Sequence, residues 1–175
     1  FYNHAEATDQ TKTVAEAITE IVTAESNNQT KANIQIKADN NLLPIESQYF
    51  QKIVQELLNN ALKFSAPDSL IRLNSKIKNN NLYFIISDHG RGMTAQQIAK
   101  IGAHTQFARN IYEQQGSGLG LAITKEIVNL YQGELAIKSI LNEGTIIKIV
   151  IPLSTSDQHN CLRQKQAKVS KITQA

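Results

Sequence analysis

The spacing of apolar and polar residues predicts an alternation of helices and strands along the chain. Apolar periodicity and turn signals predict four helices, over residues 5–25, 45–64, 94–101 and 118–131. Period-two alternation and short apolar runs predict five strands, over residues 32–38, 70–77, 82–86, 135–141 and 145–151. The last two strands flank Asn142-Glu143-Gly144, which is typical of a hairpin. This order predicts an α+β fold, a two-layer sandwich of one mixed β-sheet with helices on one face.

The helix predicted over 45–64 carries a polar stripe beside its apolar face. The apolar face is broad enough to be buried and consists of Phe50, Ile53, Val54, Leu57, Leu58, Ala61 and Leu62. Glu56, Asn60 and Lys63 fall together at the edge of that face. Taken alone, the stripe is better explained as an exposed Glu–Lys row bridged by an amide, so its meaning depends on the rest of the chain.

Two glycine-rich stretches suit a ligand that carries phosphate. Gly116, Gly118 and Gly120 alternate directly before a predicted helix, where backbone N–H groups can approach an anion. Gly90 and Gly92 form a second pair upstream. A single glycine run predicts no more than a flexible turn before a helix. Two of them, following a helix with an acidic and amide-rich stripe, favour a phosphate site.

Two segments near the glycines add to this interpretation. The strand predicted over 82–86 is apolar on both faces, which indicates a central position in the sheet. Asp88 follows it, and a carboxylate beside a core needs a defined partner. Residues 102–115 have no steady period and predict a movable lid that ends at the glycine loop. Thr94 is placed to cap the short helix that precedes this lid.

Composition bounds the class of protein. The 175 residues fit one domain, divided into a leading helix over 1–26, a main domain over 27–154 and a basic polar tail over 155–175. The net charge of +3 lies in the tail, because residues 1–155 hold 14 Lys or Arg and 14 Asp or Glu, so no nucleic-acid partner is expected. The single Cys161 suits a reducing compartment. The chain begins at Phe1 without a signal peptide, so we expect a cytoplasmic fragment of a longer protein, which is compatible with a membrane tether elsewhere.

Four motifs, in this order, resemble the catalytic ATP-binding domain of sensor histidine kinases. They are Glu56-Leu57-Leu58-Asn59-Asn60-Ala61-Leu62-Lys63-Phe64-Ser65 (the asparagine box), Asp88-His89-Gly90-Arg91-Gly92-Met93 and Gly116-Ser117-Gly118-Leu119-Gly120-Leu121 (the two glycine boxes), and Asn142-Glu143-Gly144-Thr145 (the closing glycine–threonine element). The resemblance covers about residues 30–153, and residues 102–115 are more loosely similar to lids of hybrid kinases that carry receiver domains. It implies the Bergerat-type ATP-binding fold, which gyrase-type topoisomerases, mismatch-repair ATPases and heat-shock chaperones share.

The resemblance implies ATP and Mg²⁺ as cofactors and a role for each matching residue. Asn60 would coordinate the magnesium ion, Lys63 would contact phosphate, and Phe64 would lie near the adenine. Asp88 would accept a hydrogen bond from the adenine amino group, and Thr145 would help to hold the base. The residues that would let the base come close or line the phosphates are Gly90, Gly92, Gly116, Ser117, Gly118, Leu119 and Gly120, and Arg109 in the lid would reach the terminal phosphate.

The residue types suit this chemistry independently of the resemblance. One amide oxygen with phosphates and waters is a typical magnesium site. A carboxylate only accepts hydrogen bonds, so it selects the amino group of adenine over the carbonyl of guanine. Phosphoryl transfer mainly requires positioning and charge stabilisation, which a metal, a lysine and backbone amides supply.

Two residues depart from the family pattern: Glu56 in the asparagine box, and His89, which replaces the more usual small polar residue in the first glycine box. Glu56 stands where many histidine kinases have Asn, and related ATPases use Glu there as the base that activates water. An ATPase of the gyrase or mismatch-repair type is therefore an alternative, and a non-enzymatic nucleotide-sensing module that binds ATP and changes shape is another. None of the four histidines has the context of a phospho-acceptor; they are His4, His89, His104 and His159. The expected partners are a dimerisation domain of the same protein that carries the acceptor histidine, within a homodimer, and a response-regulator receiver domain.

Overall fold

The computed structural model describes residues 12–28, 33–103 and 120–153. The helices it contains are α1 (Val14–Asn28), α2 (Ser47–Phe64), α3 (Ala95–Ala103) and α4 (Gly120–Leu130). The strands are β1 (Asn33–Lys37), β2 (Leu70–Lys78), β3 (Asn81–Asp88), β4 (Glu134–Ile140) and β5 (Gly144–Pro152). The predicted order of helices and strands is thereby confirmed.

The strands form one five-stranded sheet in the order β1-β2-β3-β5-β4. β1 runs parallel to β2, and the other neighbours are antiparallel, so the sheet is mixed as predicted. β3 is the middle strand. Helices α1, α2 and α4 pack against one face, where the inward side chains of the strands join a single apolar core. The predicted α+β two-layer sandwich, with one mixed sheet and helices on one face, is therefore confirmed.

The first helix begins later than its apolar period suggests. Thr13 and Glu16 form reciprocal hydrogen bonds, with Thr13 N donating to Glu16 Oε2 (2.8 Å) and Glu16 N donating to Thr13 Oγ1 (3.2 Å). Such a capping box satisfies backbone N–H donors that have no partner within the helix, and it fixes the N-terminus of the helix at this point. Thr13 also forms a bridge with Leu42. The predicted start at residue 5 was therefore wrong, and the helix continues to Asn28.

Helix α2 lies at the centre of the helical layer. The face predicted to be apolar is buried, with only Leu62 of that set left partly exposed. Its Phe50 ring meets the Phe84 ring of β3 edge-on, with centroids 5.6 Å apart. It also packs against α1 on one side and α4 on the other, where Tyr49 and Tyr131 make a second edge-on contact at 5.9 Å. These contacts hold α2 in a single rotational setting.

Helix α1 belongs to the same core as α2. Val14, Ala17 and Ile18 have no solvent exposure, and the apolar cluster that contains them also contains the inward residues of the sheet. The core of the domain therefore includes a helix that the sequence assigned to a separate leading segment over 1–26. That this segment ends a dimerisation hairpin, and that residues 155–175 form a basic tail, stay predictions, because residues 1–11 and 154–175 lie outside the described part.

The other face of the sheet is strongly basic. Six exposed cations point outward from the strands, and they are Lys37, Arg72, Lys76, Lys78, Lys138 and Lys148. Glu134 is the acidic side chain that the described strands place on this face. The ring of Tyr83 lies between two of the lysines, with Lys76 Nζ at 5.9 Å and Lys148 Nζ at 5.3 Å from its centroid. Lys and Arg balance Asp and Glu in number over residues 1–155, but on this face of the sheet cations predominate.

We expect Ile18→Ala to destabilise the domain by about 2–5 kcal/mol, because it leaves a cavity in the core shared by α1 and α2. Thr23→Ala, on the exposed side of the same helix, should change the free energy of unfolding by less than about 0.5 kcal/mol. Urea unfolding followed by circular dichroism measures both. An Ile18→Ala variant as stable as Thr23→Ala would contradict the packing of α1 into the core.

Candidate functional site

Three chain segments meet at one end of the sheet. The loop after β3 is tied to the end of α2 by a hydrogen bond from Arg91 N to Phe64 O (3.0 Å) and by a bridge between Ser65 and Gly90. The β4–β5 hairpin joins the same loop through Asn142 N, which donates to Arg91 O (2.8 Å). The asparagine box, the first glycine box and the closing element are thereby brought into direct contact.

The polar stripe of α2 faces the first turn of α4. A Cβ placed on Gly120 would lie 2.5 Å from Glu56 Oε2 and 3.4 Å from Asn60 Nδ2. Glu56 Oε1 also pairs with Lys52 Nζ at 2.6 Å, one helical turn earlier. Glu56 and Asn60 therefore converge beside a helix N-terminus, where backbone N–H groups and the helix dipole favour anions.

Lys63 lies one turn further along the stripe. Its side chain is exposed, and its Nζ lies 5.4 Å from the centroid of the Phe64 ring. The guanidinium of Arg91 lies 4.0 Å from the same centroid. The half-buried Phe64 ring is thus in contact with two cations, which adds positive charge at the end of α2.

Asp88 lies at the end of β3 on the inward face of the sheet. Its Oδ1 accepts a hydrogen bond from Gly90 N (2.8 Å). Burial raises the pKa of the Asp88 carboxyl above its ordinary value, and the backbone N–H groups of Gly90 and Thr145 partly offset this rise. Asp88 is therefore an acceptor held in place by the backbone beside the core.

A row of three polar side chains crosses the sheet at this end. Asp88 of β3 pairs with Thr145 of β5, and Thr145 pairs with Ser139 of β4. Directly opposed residues share a face, so all three point toward the helices. Ser139 Oγ lies 2.9 Å from Thr145 Oγ1 and accepts a hydrogen bond from Met93 N at 2.8 Å. A cleft of about 280 Å³ at this end of the sheet also reaches these three residues, but most of its lining is outward-facing, including Arg72, Lys138 and Ile146.

The first glycine pair packs against the protein's own backbone. A Cβ on Gly90 would collide with Phe64 O, and a Cβ on Gly92 would collide with Ile140 O. Gly92 also has a φ of 63°, which residues other than glycine rarely adopt. These glycines thus allow the loop to approach α2 and β4 closely. That they also let a base come close stays a prediction.

Several residues of the predicted site lie outside the described part of the chain. They are Arg109, Gly116, Ser117, Gly118 and Leu119. Of the predicted lid over 102–115, Gly102 and Ala103 belong to α3, and the remainder also lies outside. Thr94 caps α3 as expected, through reciprocal hydrogen bonds with Gln97. His89 is exposed, with Nδ1 3.2 Å from Leu70 O.

Three residues at the site were missed from the sequence. They are Lys52, which pairs with Glu56, Arg91, which covers Phe64, and Ser139, which contacts Thr145. Ser139 had a detectable signal, because it occupies an inward position of β4 after Leu135 and Ile137, where an apolar residue is expected. Lys52 also had a signal, because its i,i+4 spacing from Glu56 places the two on one side of the helix, whereas the contact of Arg91 with Phe64 depends on a side-chain rotamer.

Comparison with known proteins places this geometry in a family. Residues 45–155 match the family described as histidine kinase-, DNA gyrase B-, and HSP90-like ATPase. An uncharacterised sensor-like histidine kinase of Rhizobium meliloti is 32% identical over 113 residues, which cover 63% of this chain and 22% of that protein. The sensor protein EvgS of Escherichia coli K12 is 34% identical over 125 residues, which cover 67% of this chain and 10% of that protein.

The fold is also found in a solved structure of a related domain. The mycobacterial sensor histidine kinase MprB superposes with a TM-score of 0.67 at 25% identity, covering 80% of this chain and 94% of that one. The chain thus spans about a fifth or less of the two curated relatives but nearly all of the MprB domain. It belongs to the histidine kinase-, DNA gyrase B- and HSP90-like ATPase family and is the catalytic ATP-binding domain of a sensor histidine kinase.

Proposed function

We propose that this domain binds Mg²⁺-ATP between the Asp88 end of the sheet and the start of α4, and delivers the γ-phosphoryl group to a histidine on a dimerisation domain of the same protein. The observation that carries the proposal is the convergence of Glu56 and Asn60 on the first turn of α4. An acid and an amide beside a helix N-terminus place oxygen ligands for a cation where phosphates are attracted.

Asp88 is the residue proposed to select the base. Its carboxylate is fixed by Gly90 N and lies beside Thr145. An ionised carboxylate offers only acceptors, so it binds the amino group of adenine and repels the carbonyl of guanine. Burial raises the pKa of the Asp88 carboxyl because it removes water from the carboxylate. The amino group of a bound base would take the place of that water as a hydrogen-bond donor.

Asn60, Glu56 and Lys63 are proposed to act at the phosphates. Their donor set fits magnesium, because an amide oxygen and a carboxylate are hard oxygen ligands. When bound, the ion neutralises charge on the phosphate oxygens and holds them in place. Asn60 would contribute its amide oxygen, Glu56 would hold a metal-bound water or orient Asn60, and Lys63 would contact phosphate from the exposed side.

The ion pair between Lys52 and Glu56 favours phosphoryl transfer over hydrolysis. One carboxylate oxygen lies 2.6 Å from Lys52 Nζ, and the other abuts Gly120. A general base must approach the attacking water with a free carboxylate oxygen, whereas Glu56 Oε1 is engaged by the Lys52 ammonium. Glu56 is thus suited to positioning, and the acceptor of the phosphoryl group is then an imidazole on another domain.

The partners of the domain follow from this chemistry. An acceptor histidine on a dimerisation domain implies a homodimeric full-length protein, and a response-regulator receiver domain would take the phosphoryl group onward. We propose a cytoplasmic location, where ATP is available. Among the described residues no helix is long and apolar enough to cross a membrane.

Asp88→Asn should weaken ATP binding by about 1–3 kcal/mol, because it places an amide donor opposite the adenine amino group. Asp68→Asn is the matched control, since Asp68 lies in an exposed turn with a φ of 63° that Asn also adopts. Calorimetric titration with ATP and with GTP gives both affinities. Equal binding of the two nucleotides by the unmodified protein, or unchanged ATP binding by Asp88→Asn, would refute the base assignment.

Asn60→Ala should weaken the dependence of ATP binding on magnesium. Loss of even an outer-shell partner costs roughly tenfold or more in metal affinity, so loss of a direct ligand should cost at least that much. Asn129→Ala, on the exposed side of α4, should retain the dependence. The measurement is ATP affinity with magnesium and with EDTA, and a magnesium effect in Asn60→Ala as large as in the unmodified protein would exclude this residue as a ligand.

The domain should phosphorylate a separately supplied acceptor-helix domain of its own full-length protein while hydrolysing ATP at close to the background rate. Glu56→Gln keeps the size of the side chain and removes its basicity, so hydrolysis should change little. Radiolabel transfer and phosphate release measure the two reactions. Rapid hydrolysis that falls about 10²–10⁴-fold in Glu56→Gln, with ATP binding intact, would instead identify a general base and an ATPase.

A further inference from the structure

Ser139 uses all of its hydrogen-bonding capacity at the end of the sheet. Its Oγ accepts from Met93 N at 2.8 Å, contacts Gly144 O at 2.9 Å and contacts Thr145 Oγ1 at 2.9 Å. A hydroxyl has one proton and two lone pairs. Because Gly144 O can only accept, the Ser139 proton must point to it. Ser139 then has two lone pairs left, for Met93 N–H and for the Thr145 hydroxyl.

This pattern determines the orientation of the Thr145 hydroxyl. Thr145 must donate its proton to Ser139 Oγ, because the Ser139 proton is already used on Gly144 O. The remaining lone pairs of Thr145 Oγ1 are acceptors. Thr145 is 8% exposed, so few waters compete for its proton. The neighbouring Asp88 carboxylate is also an acceptor, and the row therefore presents two acceptors and no donor.

We propose that Ser139 is a positioning residue that sets base specificity by keeping the Thr145 proton away from the nucleotide. The proposal rests on the proposed function, since it requires the base to lie against Asp88. An exocyclic amino group has two protons and suits a pair of acceptors, directly or through a water. A carbonyl at the same position of the base meets two acceptors and is repelled, so Ser139 adds to the discrimination that Asp88 provides.

Removal of the Ser139 hydroxyl frees the Thr145 proton. In Ser139→Ala, the Thr145 hydroxyl can rotate and donate toward the ligand, which reduces the penalty for a carbonyl. Met93 N–H and Gly144 O also lose a partner, which loosens the loop that carries Gly90 and Gly92. Loosening alone should weaken all nucleotides equally, whereas a changed hydroxyl orientation should change the ratio of their affinities.

The test compares ATP with inosine triphosphate, which carries a carbonyl in place of the adenine amino group and no other amino group. Calorimetric dissociation constants in the presence of magnesium give the ratio for each variant. In Ser139→Ala the preference for ATP should fall about tenfold, the scale of one hydrogen bond to a charged or buried partner. Ser139→Thr retains the hydroxyl and should restore most of the preference.

Ser75→Ala is the matched control. Ser75 is a buried serine on the inward face of β2, and its Oγ makes no hydrogen bond with any described residue. Its replacement removes a hydroxyl from the same sheet without touching the row. The ratio of affinities should therefore stay at the value of the unmodified protein.

A double-mutant cycle with Thr145→Val tests the route of the effect. Thr145→Val should itself lower the preference for ATP, and adding Ser139→Ala should lower it no further, because the effect of Ser139 passes through the Thr145 hydroxyl. Equal weakening of both nucleotides in Ser139→Ala, or an unchanged ratio, would overturn the proposal. So would a further tenfold loss in the double variant. If Ser139→Ala does not fold, an unchanged ratio of ATP affinity to inosine triphosphate affinity in Thr145→Val would also overturn the proposal.

The outcomes separate this inference from the function on which it rests. An unmodified protein that does not bind ATP, or does not distinguish it from inosine triphosphate, contradicts the base assignment at Asp88. An unmodified protein that distinguishes them, beside a Ser139→Ala variant that distinguishes them equally well, contradicts only the role of Ser139.

Discussion

The burial of one face of α2 is the interaction on which the rest of the structure depends. That face contacts the sheet, through rings such as Phe50 and Phe84, and helices α1 and α4 on either side. Because the contacts fix the rotation of α2 about its axis, they also fix the direction of the polar stripe. The same rotation of α2 that buries Leu57 and Leu58 in the core turns Glu56 and Asn60 toward the N-terminus of α4. Packing and chemistry are set by one rotational angle.

The site is built almost wholly from the ends of regular elements. Backbone hydrogen bonds join the end of α2, the loop after β3 and the β4–β5 hairpin through Phe64, Arg91 and Asn142. Backbone hydrogen bonds form only between segments that lie close together. The loop after β3 can therefore approach the end of α2 only where it carries no side chain, as at Gly90. The base end and the phosphate end of the proposed site are thereby held at a fixed separation, which positions a nucleotide without movement of the core.

Periodicity in the sequence was sufficient for the elements, their order and the residues of α2, because burial against a single core imposes periods of 3.6 and 2. Periodicity was insufficient where a local hydrogen bond determines the structure. The helix predicted from residue 5 begins at Val14, since the Thr13–Glu16 capping box stops it. The contact of Arg91 with Phe64 depends on a side-chain rotamer, whereas the i,i+4 spacing of Lys52 and Glu56 could have predicted their ion pair. Ser139 was visible only as a polar residue in an apolar period, and its partners required the register of three strands.

The basic outer face of the sheet has a consequence for how copies of the domain meet. Two such faces brought together would oppose six cations with six, and within the described residues none of these cations is neutralised by an ion pair. At physiological ionic strength the repulsion extends about 8 Å, farther than the gap between stacked side chains. Self-association through this outer face of the sheet is therefore disfavoured.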